Sequence, residues 1–157
     1  MRLSLRKGFS FGLTSGIITT LGLIVGLQSS TNSYIAIIGG VLVIAIADAL
    51  SDAFGVHVSE EAENKHSNRE VWESTAATFI SKFIFAITFL IPVLIFSLDI
   101  AIMVSVFWGL FLISIFSFYM AKIQETSPLK IVTEHLLIAI IVIIMTHYIG
   151  EWIATIF

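Results

Sequence analysis

Two aspartates, Asp48 and Asp52, lie one helical turn apart in a segment that is apolar enough to cross a lipid bilayer. A charge near the bilayer centre costs about 2.5 kcal/mol or more on insertion scales, so such charges are rare without a use. Because residues i and i+4 share a helix face, both carboxylates could hold one cation or one proton. This pair is therefore predicted as the core of a metal or proton site.

Further acidic and imidazole side chains fall on the same helix face when the helix is extended at about 100° per residue. Glu63, His66 and Glu70 are predicted as additional metal ligands, because carboxylate and imidazole groups suit divalent Fe, Mn or Zn. No Gly or Pro interrupts residues 57–90, so nothing obvious stops the second helix from continuing through them. The alternative is a solvated, mixed-charge connector.

The last apolar segment carries two acid–imidazole pairs. Glu134 and His135 are neighbours near its start, and His147 and Glu151 are spaced i,i+4 near its end. Such pairs could share a metal ion or relay protons. We predict them as weak proton-relay candidates, and each pair could equally be solvated at a membrane interface.

The elements that position these residues are predicted from composition and apolar runs. The chain has 157 residues, of which 57% are hydrophobic and 12% charged, whereas soluble domains are about 25% charged. It has no cysteine, which excludes disulfides and thiolate metal sites. The prediction is a single all-α, polytopic membrane domain with an acidic connector at 59–74 and five transmembrane helices at about 8–27, 34–58, 75–96, 100–120 and 131–156.

The basic residues predict the orientation. They flank the first span, the second loop and the fourth loop, and the other two loops have none. By the positive-inside rule, this predicts a cytoplasmic N-terminus and an external C-terminus. The flanking residues are Arg2, Arg6, Lys7, Lys65, Arg69, Lys122 and Lys130.

Lys82 is the one basic residue within a span. We expect its long side chain to reach back to the membrane interface, and the alternative is pairing with a buried acid.

A series of small residues marks the first span. Gly8, Gly12 and Gly16 recur every four positions, a spacing that lets helix backbones approach closely in a membrane. The series could form a homodimer seam or pack within one chain.

Two stretches carry a resemblance to a known family. Residues 12–26, GLTSGIITTLGLIVG, are similar to the N-D-G-L-V-T-T-x-x-L-V-x-G signature of the vacuolar iron transporter family. Residues 49–59, ALSDAFGVHVS, resemble its A-L-S-M-x-x-G-E-Y-x-S segment. The start of the third span through Ile91-Pro92 resembles that family's third-helix run ending in a proline, and residues 146–150, THYIG, resemble part of its last helix.

The resemblance implies a homodimer that exports cytoplasmic Fe²⁺ or Mn²⁺ in exchange for protons, along a path lined by the first two helices. Ser15, Thr19, Ser51 and Gly55 are the predicted path residues. The chain departs from the family pattern in three positions: Ser15 stands where the family has an aspartate, Asp52 where it has a methionine and Val56 where it has a glutamate. The family's long cytoplasmic metal-binding insert is absent.

These departures suggest that Asp52, helped by Asp48, replaces the missing aspartate across a shared cavity, and that harder cations are favoured. The rival hypothesis is a non-transporting membrane subunit that retains the fold. It predicts that the acidic pair is salt-bridged, for example to Lys82, and that no polar path exists.

An enzyme is not expected, because no nucleophile is paired with a base. The expected partners are the lipid bilayer, a second copy of the chain, divalent cations and protons. No permanent cofactor and no nucleic acid are expected. The location is a multi-pass membrane position in either a cell membrane or a vacuole-type membrane.

Overall fold

Five long helices make up the protein in the computed structural model, which describes residues 2–157. Each is long and apolar enough to cross a membrane: α1 Leu3–Thr31, α2 Tyr34–Glu63, α3 Asn68–Ile95, α4 Leu98–Ile123 and α5 Pro128–Ile156. No strand occurs within residues 2–157. The predicted all-α, polytopic membrane fold with five spans is therefore confirmed, and every helix is longer than the span predicted for it.

The break between α2 and α3 is short and has its own chemistry. α2 ends where Asn64 adopts a left-handed conformation with φ 51°, a common way for helices to end. α3 begins with a capping box, in which the Ser67 hydroxyl accepts from the Glu70 backbone N–H and the Glu70 carboxylate accepts from the Ser67 backbone N–H. A single helix running through residues 59–73 is therefore wrong.

One turn of α2 is wider than the rest. Residues Ile44–Asp48 form a π-helical turn, in which the backbone N–H of Ala49 reaches the carbonyl of Ile44. Such turns insert one extra residue into an α-helix and are frequent at functional sites. The turn ends at Asp48, directly before the helical segment that carries Asp52.

The chain divides into two compact units. The first contains the residues up to Thr20 and Gly39–Leu90, and the second contains Leu21–Ile38 and Ile91–Phe157.

In the first unit, the glycine series of α1 packs against α3. A Cβ atom at Gly8 would meet the backbone of Ser74, and one at Gly12 would meet Thr78. At Gly16, a Cβ would lie 3.0 Å from the carbonyl oxygen of Lys82. This face of α1 is filled within one chain, so intrachain packing is the correct alternative. The homodimer seam predicted along Gly8, Gly12 and Gly16 is not found on this face.

In the second unit, α4 packs along α5, and small residues again allow close approach. A Cβ at Gly150 would lie 2.5 Å from the carbonyl oxygen of Gly26. Beside this contact, Ser29 Oγ lies 2.7 Å from His147 Nδ1. A hydroxyl and an imidazole therefore satisfy one another where the two backbones meet.

Candidate metal site

The two intramembrane aspartates converge on one cation, the ammonium of Lys82. Lys82 Nζ lies 2.5 Å from Asp48 Oδ2 and 2.6 Å from Asp52 Oδ2. The i,i+4 spacing places both carboxylates on one face of α2, and α3 supplies the lysine. The predicted acidic pair is thus brought together, with an internal counter-ion between its oxygens.

Ser15 of α1 completes this cluster. Its Oγ accepts a hydrogen bond of 3.0 Å from Lys82 Nζ and donates one of 2.6 Å to Asp52 Oδ2. The ammonium of Lys82 donates hydrogen bonds to Ser15 and Asp52 and forms an ion pair with Asp48. Three helices of the first unit therefore meet in one satisfied polar cluster, which we call the lysine–aspartate cluster.

Burial differs sharply within the cluster. The side chain of Lys82 has no exposed surface, whereas those of Asp48 and Asp52 are 39% and 23% exposed in the single chain. The expectation that Lys82 reaches back to the membrane interface is wrong. Its side chain packs against Gly16 of α1 and ends between two acids, because a buried ammonium is stable only when it is paired and hydrogen-bonded.

A cavity of about 360 Å³ leads along α1 and α2 to this cluster. It is lined by Lys7, Phe11, Ser51, Asp52, Gly55, Val56, Ser59 and Glu60. Of the predicted path residues, Ser51 and Gly55 line it. Thr19 is not among its lining residues, and its hydroxyl donates to the carbonyl of Ser15 on its own helix.

Glu60 forms the other polar end of the cavity. Its side chain is 1% exposed, with Oε1 2.9 Å from Lys7 Nζ and 3.2 Å from Ser74 Oγ. Its second oxygen, Oε2, is buried with no hydrogen-bond partner in residues 2–157. The cavity therefore has a carboxylate at each end, and each one is paired with a lysine.

The other predicted ligands, Glu63, His66 and Glu70, lie around the break between α2 and α3. Glu63 Oε2 is 3.3 Å from His66 Nε2, and Glu63 Oε1 is 3.7 Å from Lys7 Nζ. Glu70 is engaged in the capping box with Ser67. Across residues 2–157, no three His, Asp or Glu side chains form a group that could hold a metal ion.

The predicted proton-relay residues all belong to the second unit. His147 Nε2 is 3.4 Å from Glu151 Oε1, so this pair forms as its spacing suggests. His135 and Glu134 have separate partners: Ser117 Oγ is 2.7 Å from His135 Nδ1, and Lys130 Nζ is 4.0 Å from Glu134 Oε1.

Sequence reasoning gave the pairing of Lys82 with a buried acid only as the alternative, and it missed Lys7 and Glu60 as site residues. A signal for Lys82 was present: Lys82 and Asp52 lie at similar distances, in residues, from the break at 64–67 and thus at similar depth. Glu60 had no comparable signal, because its burial depends on Ser74 and Lys7 from two other helices.

Comparison with known proteins gives one match. A family model described as the VIT family matches residues 7–75, which comprise α2, nearly all of α1 and the first turns of α3. The matched region contains Ser15, Asp48, Asp52 and the whole lining of the cavity, but ends before Lys82. Searches of curated proteins and of solved structures gave no match.

Proposed function

We propose that this chain, of which residues 7–75 match the VIT family model, belongs to that family and exports divalent metal cations, Fe²⁺ or Mn²⁺, from the cytoplasm in exchange for protons. The protein is an integral, multi-pass membrane protein with five spanning helices, and that family points to metal-ion transport. The identity of the metal, the direction of transport and the proton coupling are proposed in addition to this general role.

The observation that carries the proposal is the convergence of Asp48 and Asp52 on one point inside a spanning helix. Their Oδ2 atoms both lie within 2.6 Å of a single cationic nitrogen. Oxygen ligands in this arrangement suit hard divalent cations. The cavity that reaches Asp52 gives such cargo a route to the pair.

Charge around the cavity supports cation entry from the end at which Glu60 lies. Glu60, Glu61 and Glu63 cluster near the end of α2, and a negative field at a cavity mouth concentrates cations. Placing this end in the cytoplasm follows from the basic residues flanking α1 and α3. Glu63, His66 and Glu70 then act near the mouth rather than as ligands of the intramembrane site.

Proton exchange is proposed for the acidic pair, because carboxylates within a membrane span mark ion and proton pathways. Such a pair can exchange bound protons for a divalent ion. The candidates for passing protons elsewhere in the chain remain Glu134, His135, His147 and Glu151.

A homodimer is part of the proposal. The partial exposure of Asp48 and Asp52 in the single chain supports it, because a carboxylate facing lipid is costly. A second copy covering α2 would remove that contact with lipid.

One observation favours the rival function of a non-transporting subunit. That hypothesis expects the acidic pair to be salt-bridged to Lys82, which the geometry matches. It also expects no polar path, and the cavity ending at Asp52 argues against that part. Transport is therefore the function we prefer.

The test is uptake of Fe²⁺, Mn²⁺ and Zn²⁺ into proteoliposomes, with and without a pH gradient. Wild type is compared with Asp52→Asn and, as a matched control, Asp99→Asn, an acid outside the site. Uptake that responds to the gradient and is lost only in Asp52→Asn supports the proposal. Folded wild-type protein that moves none of these metals would instead favour the subunit.

A further inference from the structure

Lys82 occupies the point at which a divalent cation would bind. Its nitrogen bridges one oxygen of each aspartate at 2.5 and 2.6 Å. Divalent cations bind carboxylate oxygens at about 2.0–2.6 Å, so a metal ion bridging Asp48 and Asp52 would overlap the ammonium. The ammonium and the metal therefore exclude each other.

We propose that Lys82 is a tethered competing cation, which fills the acidic pair when no metal is bound and selects divalent over monovalent ions. This inference rests on the proposed function, since it assumes that the pair binds the cargo. Lys82 thereby determines specificity rather than serving as a ligand.

The selectivity follows from the charges. The two carboxylates and the ammonium leave one net negative charge in the lysine–aspartate cluster. A sodium or potassium ion that displaced the ammonium would exchange one unit of positive charge for another, with no electrostatic gain between the carboxylates. A divalent ion brings twice the charge to the same oxygens.

Lys82 can leave the acidic pair and still keep a hydrogen-bond acceptor. Its four-carbon stem is flexible, and an ammonium is a compact charge with three rotatable donors. Ser15 Oγ already accepts one of them at 3.0 Å and is not itself a carboxylate that the metal requires. A short movement away from α2 would keep this bond while it frees the acidic pair.

The test measures Mn²⁺ binding to purified full-length protein in detergent, at low and high NaCl, for wild type, Lys82→Gln and Lys82→Arg. Lys122→Gln removes an exposed lysine of the second unit and serves as the matched control. We expect Lys82→Gln to bind Mn²⁺ about tenfold or more tightly at low NaCl, and to lose much of that gain at high NaCl. Lys82→Arg and Lys122→Gln should bind like wild type.

Several results would overturn the inference. They are Mn²⁺ affinity in Lys82→Gln that equals or falls below wild type, a gain that NaCl does not reduce, or a Lys82→Arg variant that binds like Lys82→Gln. A merely structural lysine would not produce sensitivity to sodium.

Two acids without their counter-ion could prevent Lys82→Gln from folding in the absence of metal. In that case Lys82→Gln is purified in Mn²⁺, the metal is removed with a chelator, and folding is measured before and after. Competition predicts that Mn²⁺ restores a folded variant and that its removal unfolds it, whereas failure to fold even in Mn²⁺ would count against the inference.

Failure of the proposed function has a different signature. Neither wild type nor Lys82→Gln would then move metal in proteoliposomes, even if the difference in binding between them persisted. Equal affinities with intact uptake would reject only the role of Lys82.

Discussion

Ser15 and Asp52 share a hydrogen bond of 2.6 Å between α1 and α2, at two positions where the chain departs from the signature of the family that it resembles. A hydroxyl stands on α1 where an acid is expected, and an acid stands directly opposite on α2. The contact supports the hypothesis that the carboxylate has moved across a shared site.

Restoring the acid on α1 tests that hypothesis. Ser15→Asp places a third carboxylate beside Lys82 and Asp52, so we expect Mn²⁺ to bind about tenfold more tightly, because each added acid strengthens cation binding. Ser15→Asn, which has a similar size and no charge, should not tighten binding. Isothermal titration with both variants measures the effect, and equal gains in the two would contradict it.

Removing both acids should destabilise the protein strongly. Asp48→Asn/Asp52→Asn leaves a fully buried ammonium without a counter-charge, which we expect to cost about 3–5 kcal/mol. Adding Lys82→Met to this double variant should recover much of the loss, because the orphaned charge is gone. Thermal unfolding in detergent compares the three proteins. A triple variant no more stable than the double variant would show that the lysine is not paired as described.

The close approach of α1 and α3 predicts different costs for one added methyl group. Gly12→Ala would push against Thr78 and Ser81, and we expect a loss of about 1–3 kcal/mol. Gly39→Ala is the matched control, since nothing in residues 2–157 lies within 4 Å of its added Cβ. It should be neutral or stabilising by about 0.5–1 kcal/mol. Equal falls in melting temperature for Gly12→Ala and Gly39→Ala would show that Gly12 is not at a close contact between α1 and α3.

Glu60 should matter for capturing cations at low concentration. Glu60→Gln removes the buried carboxylate at the cavity end opposite Asp52, so we expect the metal concentration for half-maximal uptake to rise about threefold to tenfold. Glu125→Gln, which removes an exposed acid of the second unit, is the control and should change little. Uptake titrations at two salt concentrations measure this. A loss of maximal rate without a change in that concentration would indicate a structural role instead.

The five helices could be predicted because long apolar runs and polar breaks are local properties of the sequence. The break between α2 and α3 was also readable, since Ser67 followed three residues later by Glu70 is a capping box. The absence of Gly and Pro does not reveal this capping box. It therefore suggested that the acidic face of α2 continues through residues 64–67, which are not helical.

Local patterns could not decide whether Lys82 reaches the membrane interface or pairs with a buried acid. The direction in which the Lys82 side chain points depends on the rotation of α3 about its own axis. The contact of Gly16 with the Lys82 backbone helps to determine that rotation. The same holds for Gly8 and Gly12, whose spacing suits either intrachain packing or a dimer seam. Only the partner helix distinguishes the two.

The π turn at Ile44–Asp48 places one extra residue between the two halves of α2. Deleting one residue there would restore α-helical spacing, turning residues 34–43 by about 100° and shifting them by about 1.5 Å along the axis. Asp52, Gly55 and Glu60 would keep their register against α1 and α3. A deletion at this turn would therefore repack the buried Ile37 and Val41 while leaving the carboxylates of α2 in place.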